Sequence, residues 1–396
     1  MKQRRLLALA AGVVLALTAA PAAAQQAPQR DASGAAPLYG ADDPEAIDGR
    51  WIVVFDERAS DDEVARERRS SRARGAKVHH EYDAALRGYA ATMTDEEVER
   101  LRQDPRVAYI EADQTVSVAQ TSQSPATWGL DRIDQRSLPL NGTYTYDRTG
   151  AGVNAYIIDT GIRASHTQFG GRIVGGATAI SDGRGSDDCN GHGTHVAGTV
   201  GGSTHGVAKQ VTLVPVRVLG CTGNGSLSGV IAGVDWVTRT HSKPAVANMS
   251  LGGGVATSLD DAVRNSVAAG VTYVVAAGNS NANACNGSPA RVSQALTVGA
   301  STSTDMRSSF SNWGSCVDIL APGSSITAPW HTSNTATNTI SGTSMAAPHV
   351  AGVAALLLQG SPSASPASIH ATIVNNATTG VLGDLRGSPN RLVYSR

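Results

Sequence analysis

The chain has few aromatic residues, 4% Phe, Trp and Tyr together, and a formal net charge of −1 over 396 residues. That balance supplies no basic surface of the kind that attracts nucleic acid or acidic membranes, so neither is expected as a partner. Lysine occurs only at positions 2, 77, 209 and 243, which we read as a codon-composition effect rather than a functional one. Beyond Ala19 no apolar run approaches the roughly 20 residues needed to span a bilayer. There is one Asp-Thr-Gly, at 159–161, and no second Asp-Thr-Gly or Asp-Ser-Gly. A single copy argues against an aspartic protease, whose two carboxylates share one proton. No Gly-x-Ser-x-Gly surrounds Ser344, which argues against the nucleophile elbow of α/β-hydrolases. Glycine, in contrast, is plentiful at 43 residues. It suits a tightly turned α/β protein whose backbone comes close to itself or to a ligand.

The N-terminus reads as a signal peptide over residues 1–24. Lys2, Arg4 and Arg5 form a basic start, Leu6 to Ala19 an apolar run short for a membrane anchor, and Ala22-Ala23-Ala24 a small-residue cleavage site. Export implies an oxidising compartment. The four cysteines, Cys189, Cys221, Cys285 and Cys316, fit disulfides there, and they allow three pairings. A zinc site on Cys189, His192 and His195 is the rival, weakened because no further ligand pair has zinc-like spacing.

The length argues for more than one domain. Residues 25–50 lack any apolar period and read as a linker. Residues 51–120 are rich in Arg and Glu, with strands at Trp51–Phe55, Lys77–Tyr82, Gly88–Met93 and Val107–Ile110. Helices are expected over Asp61–Arg74, capped by Ser60, and after Thr94, which opens in capping-box style. That β-α-β-β-α-β order is the ferredoxin-like split βαβ, an α+β fold. From 121 to 396 strand-like runs (Val153–Asp159, Val211–Leu219, Ala245–Leu251, Thr272–Ala277, Leu296–Gly299) alternate with helical stretches (Ser226–Thr240, Ser258–Ala269, Ser344–Gln359). Such alternation predicts an α/β domain with a mainly parallel sheet and helices on both faces.

Three motifs in this domain carry chemistry. Asp159 ends an apolar strand, where a parallel sheet places its ligand-binding edge, and its carboxylate can fix a histidine tautomer. His192 lies between Gly191 and Gly193, which we read as leaving room for a substrate backbone. His195, one helical turn on, is expected to be a packed structural residue. Ser344 heads a small-residue, buried helix whose N-terminus offers a hydroxyl and free backbone N–H groups. The chain order Asp, His, Ser is that of subtilisin rather than of chymotrypsin-like or α/β-hydrolase enzymes. Asn279, after the strand Val274–Ala277, can supply a second oxyanion donor beside the Ser344 N–H. The run Gly252-Gly253-Gly254 invites a dinucleotide reading, but the next strand ends Ala276-Ala277-Gly278 without the acidic residue required.

On these motifs, residues 121–396 resemble the subtilases, and more closely the proteinase K-like branch. Trp128-Gly129-Leu130-Asp131-Arg132-Ile133-Asp134-Gln135 and the cysteine spacing are similar to the aqualysin type. Residues 51–120 resemble the inhibitor-type propeptide of the same enzymes. The resemblance implies a three-layer sandwich around a twisted sheet, and a secreted, monomeric serine endopeptidase made as a self-processing preproenzyme. Asp159, His192 and Ser344 then fall on the triad and Asn279 on the oxyanion residue. Ser250, Leu251 and Gly252 would bind peptide substrate on one side, and Gly223, Asn224 and Gly225 on the other, with Leu227 near S4. Structural Ca2+ is implied at Asp131, Asp134, Gln135, Asn141 and Thr143, and at Asp318 with the carbonyls of Ser293 and Ala295. The pairing implied is Cys189–Cys221 and Cys285–Cys316. The propeptide would be the enzyme's own inhibitor, and the other partners protein and peptide substrates. A catalytically idle binding protein on the same fold is the alternative.

Overall fold

A computed structural model of the chain describes residues 30–43, 46–114 and 121–396. The expected signal peptide and the segment 115–120, which holds most of the expected maturation junction, lie outside the described residues. The chain forms two compact units, Met1–Ser117 and Val118–Arg396.

The small unit runs β1 (Leu38–Tyr39), β2 (Ala46–Phe55), α1 (Asp61–Ala73), β3 (Lys77–Tyr82), β4 (Gly88–Thr92), α2 (Asp95–Arg102) and β5 (Val107–Gln114). Its sheet has the order β1-β5-β2-β4-β3. Val53, Phe55, Tyr89, Val98, Leu101 and Ile110 share one apolar core. Ser60 caps α1 through a complete capping box with Glu63. The box expected at α2 is only half formed. Thr94 accepts from the Glu97 N–H, but the Glu97 carboxylate turns away to Arg74 and Arg100. The described part of the segment read as a linker is folded. It supplies β1 and the start of β2, and it buries Ala35 and Ala36 completely. A two-residue strand is too short to show a period of two, which is why it carried no signal.

The large unit opens with β6 (Thr121–Gln123), α3 (Trp128–Ile133), β7 (Tyr144–Tyr146), β8 (Asn154–Asp159), β9 (Ala177–Thr178), α4 (His192–Gly201) and β10 (Thr212–Arg217). It continues with α5 (Leu227–Thr240), β11 (Ala245–Met249), β12 (Gly253–Gly254), α6 (Thr257–Ala268), β13 (Thr272–Ala276), β14 (Gly287–Ser288), β15 (Leu296–Ser301) and β16 (Ile319–Pro322). Last come β17 (Ile326–Pro329), β18 (Thr337–Ile340), α7 (Thr343–Gly360), α8 (Pro366–Asn376), β19 (Thr378–Thr379) and β20 (Arg391–Leu392).

Nine strands form the main sheet in the order β19-β20-β16-β15-β13-β11-β8-β10-β9, parallel except for β19 against β20. Its two faces are buried separately, as the period of two requires. Ala155, Ile157 and Leu213 join a core with α4, α7 and α8. Tyr156, Ile158 and Val214 join another with α5 and α6. The result is the three-layer α/β arrangement expected. Two disulfides, Cys189–Cys221 and Cys285–Cys316, close loops of 32 and 31 residues. In the chain-entropy model each stabilises by about 3–4 kcal/mol. With Cys189 so engaged, the zinc reading falls.

Candidate active site

β8 ends at Asp159, whose carboxylate is fully buried. His192 is the first residue of α4, and its Nδ1 donates to Asp159 Oδ1 at 2.8 Å. The Thr160 N–H donates to the same oxygen at 2.7 Å. An ionised Asp159 accepts only, so the Nδ1–H tautomer follows and Nε2 is left as an acceptor. Burial alone would push the His192 imidazole down. The charge and hydrogen bond of Asp159, with the charge of Asp188 behind, outweigh it and leave the pKa raised.

Asp188 is a residue that sequence reasoning missed, and it organises this corner. Oδ1 accepts from Asn190 N, Gly191 N and Thr160 Oγ1, each at 2.9 Å. Oδ2 accepts from Thr194 N at 2.9 Å and Thr194 Oγ1 at 2.6 Å. Thr160 Oγ1 in turn accepts from Gly193 N at 2.8 Å. One buried carboxylate thereby ties the residue after Asp159 to the turn that starts α4. Asp188→Asn removes a negative charge that holds His192 in its protonated form. The acid limb of the kcat/KM profile is therefore expected to move to lower pH. A limb that stays or moves upward contradicts this role.

The glycines around His192 do different work from that expected. A Cβ on Gly193 would sit 2.2 Å from Gly161 O, and one on Gly191 2.5 Å from Trp330 and His331. Gly191 also has φ of 109°. Both are required by packing within the protein, not by an approaching substrate. His195 is, as expected, completely buried; its Nε2 donates to Ile326 O and Asn338 O, at 3.0 and 3.2 Å, and burial pushes its pKa down to about 4.

α7 begins one residue earlier than expected, at Thr343, so Ser344 lies in its first turn. Ser344 Oγ donates to Ser250 O at 3.1 Å, and Ser250 Oγ donates to Ser344 O at 2.8 Å. Asn248 Nδ2, buried behind them, donates to Ser250 Oγ at 2.8 Å. Asn279 Oδ1 accepts from both Thr343 N and Thr343 Oγ1 at 2.8 Å. That fixes the amide orientation and leaves Nδ2 with no hydrogen-bond acceptor among the described residues. Thr343 and Asn248, like Asp188, carried no motif of their own; only tertiary contact exposes their role.

A cleft of about 580 Å³ has Ser250 in its lining, whereas Ser344 and Asn279 are not among the residues that line it. His192 and Thr160 line it, together with Gly223, Asn224, Gly225 and Leu227 and with Ser250, Leu251 and Gly252. All seven residues expected to hold substrate therefore share a single cleft with His192. Leu227, Val230, Leu251, Val255 and Leu259 make part of it apolar.

The residues expected to hold calcium cluster at the end of α3. Asp131 accepts from Asn141 N and Gly142 N, and Asp134 Oδ2 from Thr145 N. Asn141 Oδ1 accepts from Thr143, and Gln135 Nε2 donates to Pro139 O. Asp134 Oδ1 is buried with no partner among the described residues, an arrangement that suits a hard cation. At the second position Asp318 Oδ2 accepts from Thr297 N, and Oδ1 lies 3.6 Å from His370 Nε2, a competitor for a cation there. Among the described residues one cluster of three His, Cys, Asp or Glu side chains occurs, Asp182, Cys189 and Cys221, and its sulfurs form the disulfide.

Comparison with known proteins places the chain in a family. The family model described as "Subtilase family" matches residues 150–392, and "Peptidase inhibitor I9" matches residues 50–119. The chain is 59% identical over 380 residues to an "Extracellular serine proteinase" of Thermus sp. (strain Rt41A), covering 91% of this chain and 92% of that protein. It is 53% identical to "Alkaline serine exoprotease A" of Vibrio alginolyticus, covering 91% and 70%. Among solved structures, that of a cold adapted subtilisin-like serine proteinase is similar with a TM-score of 0.68 and 56% identity, over 69% of this chain and 99% of that one. The chain thus belongs to the subtilase family of serine peptidases, with an I9 inhibitor-type segment ahead of the peptidase domain.

Proposed function

We propose that this protein is a secreted endopeptidase of broad specificity that works through an acyl-enzyme. The 2.8 Å bond between His192 Nδ1 and Asp159, inside the cleft that Ser250 shares, carries the reading. Ser344 Oγ leaves the Ser250 carbonyl, gives its proton to His192 Nε2 and attacks the scissile carbonyl. His192 then returns the proton to the leaving amine, and water repeats the cycle on the acyl-enzyme. Ser344 N–H and Asn279 Nδ2 receive the oxyanion. The two glycine-rich edges of the cleft take the substrate as an extended strand, so that backbone bonds give affinity with little dependence on sequence. Secretion is supported by the basic-apolar-small pattern of residues 1–24 and by the extracellular relative from Thermus. Residues 51–120 act as inhibitor until the chain cuts itself near Gln120. The idle-binding alternative is disfavoured because all four reacting positions are filled.

A sulfonyl fluoride is expected to label Ser344 alone and to abolish casein hydrolysis in proportion to labelling. Full hydrolysis by the labelled protein would refute the mechanism.

At the α3 site, Asp131, Asp134, Gln135, Asn141 and Thr143 would hold Ca2+, whose contribution is structural. Saturation at a hundred times Kd stabilises by about 2.7 kcal/mol, or about 5–10 °C in a domain of this size. Chelation should lower Tm by that amount, and Asp134→Asn should remove most of the calcium dependence. A Tm indifferent to chelator would show that no such ion contributes.

A further inference from the structure

Four Asn-Gly pairs occur in the chain, at Asn141-Gly142, Asn190-Gly191, Asn224-Gly225 and Asn286-Gly287. An asparagine followed by glycine is open to attack on its side-chain amide by the next backbone nitrogen, because glycine has no Cβ to hinder the approach. Whether it happens depends on whether the nitrogen and the amide are free to meet.

Three of the four pairs are locked. Gly142 N donates to Asp131 Oδ2 at 2.7 Å, and Asn141 Oδ1 is held by Thr143. Gly191 N donates to Asp188 Oδ1, while Asn190 is held at both ends, by Cys221 O and His192 N. Gly287 N donates to Ala284 O, and Gly287 is paired in β14. Asn224-Gly225 differs. Both residues are exposed, and neither the Asn224 side chain nor the Gly225 N–H has a hydrogen-bond partner among the described residues. The glycine is nonetheless compulsory: a Cβ on Gly225 would lie 2.2 Å from Val218 O. Packing therefore forces the one residue type that leaves Asn224 vulnerable.

We propose that Asn224 is a site of spontaneous deamidation, and that the carboxylate so formed moves the cleft toward substrates with cationic side chains. The Gly225 nitrogen attacks Asn224 Cγ; the new N–Cγ bond forms as the Cγ–Nδ2 bond breaks. Ammonia leaves with the proton of the Gly225 N–H, and water opens the resulting imide to aspartate or isoaspartate. No oxidant or further reactant is needed. Asn224 lines the same cleft as Ser250, Leu251 and Gly252, so the new charge would lie beside a peptide bound there. The change of preference rests on the cleft being the substrate site, whereas the deamidation does not.

The test uses the purified protease, blocked with a sulfonyl fluoride against self-digestion and incubated at mildly alkaline pH. Peptide mapping by mass then follows conversion of amide to acid at each pair. Conversion at Asn224 is expected to be about tenfold faster than at Asn141, Asn190 or Asn286, since their glycine nitrogens must first give up a hydrogen bond. Equal or slower conversion at Asn224 overturns the site. Independently, freshly made Asn224→Asp should raise the ratio of kcat/KM for arginine-containing over glutamate-containing peptides about fivefold at low salt. An unchanged ratio overturns the shift in preference and leaves the mass result to stand or fall separately.

Discussion

Ser344→Ala lowers kcat on a peptide substrate by about 10⁶-fold while leaving the protein folded. The magnitude is that known for the nucleophile of subtilisin, a member of this family, and is carried over rather than derived. The geometry explains why the loss is so nearly confined to chemistry. Among the described residues Ser344 Oγ makes one hydrogen bond, to Ser250 O. Deleting it costs about 1 kcal/mol of stability at most. Ser250 Oγ bonds to the Ser344 backbone carbonyl, which alanine keeps. The oxyanion donors survive as well, Ser344 N–H because it belongs to the backbone and Asn279 because Thr343 holds it. Substrate should therefore bind with KM changed little, and the residual rate reports the donors alone. The same substitution bears on maturation. Expressed alone, the variant should accumulate as the full precursor, uncut near Gln120. Normal cutting of it would mean that another protease performs the step. A loss of less than about 10³ in kcat, roughly a thousandth of that expected for a nucleophile, would remove Ser344 from the reaction.

The residues proposed to react could be singled out because each lies in a short motif whose neighbours are also needed locally. Asp159 had its strand, Ser344 its small-residue helix, and Asn279 its strand end. The parallel sheet was legible for a similar reason: strands buried on both faces are continuous apolar runs. What holds the reacting groups was not legible. Asp188 bonds to Thr160 and Thr194, and Thr343 to Asn279, 64 residues away. None of these pairs has a spacing that a sequence displays. The glycines beside His192 show the same limit from the other side. Their presence was obvious, but the reason for it is contact with Gly161, Trp330 and His331, far away along the chain. β1 escaped for want of length, and the half-formed capping box because Arg74, from a different helix end, competes for Glu97.

Asp159→Asn should lower kcat about 10⁴-fold, the loss known for the same change in another Ser-His-Asp triad, although it replaces one atom and no volume. An ionised Asp159 can only accept, and so it holds the proton on His192 Nδ1. An asparagine can turn its amide nitrogen toward the ring instead. Nδ1 then becomes the acceptor, the proton moves to Nε2, and His192 cannot take a proton from Ser344. The site offers little to prevent this turn. The Thr160 N–H points at Oδ1, which favours an oxygen there, but Oδ2 is buried without a partner among the described residues and cannot hold an NH2 group in place. Either orientation is unsatisfactory: one leaves a buried donor unpaired and the other reverses the tautomer. Loss of the negative charge also removes the attraction that keeps the His192 pKa raised against burial. The imidazolium formed during attack is then less stable, and kcat falls with KM nearly unchanged. Steady-state kinetics against a short peptide, with labelling by a sulfonyl fluoride as a second readout, decide the matter. Both should fall together, because both depend on deprotonation of Ser344. A variant that keeps its kcat within tenfold would show that His192 is oriented by something other than Asp159.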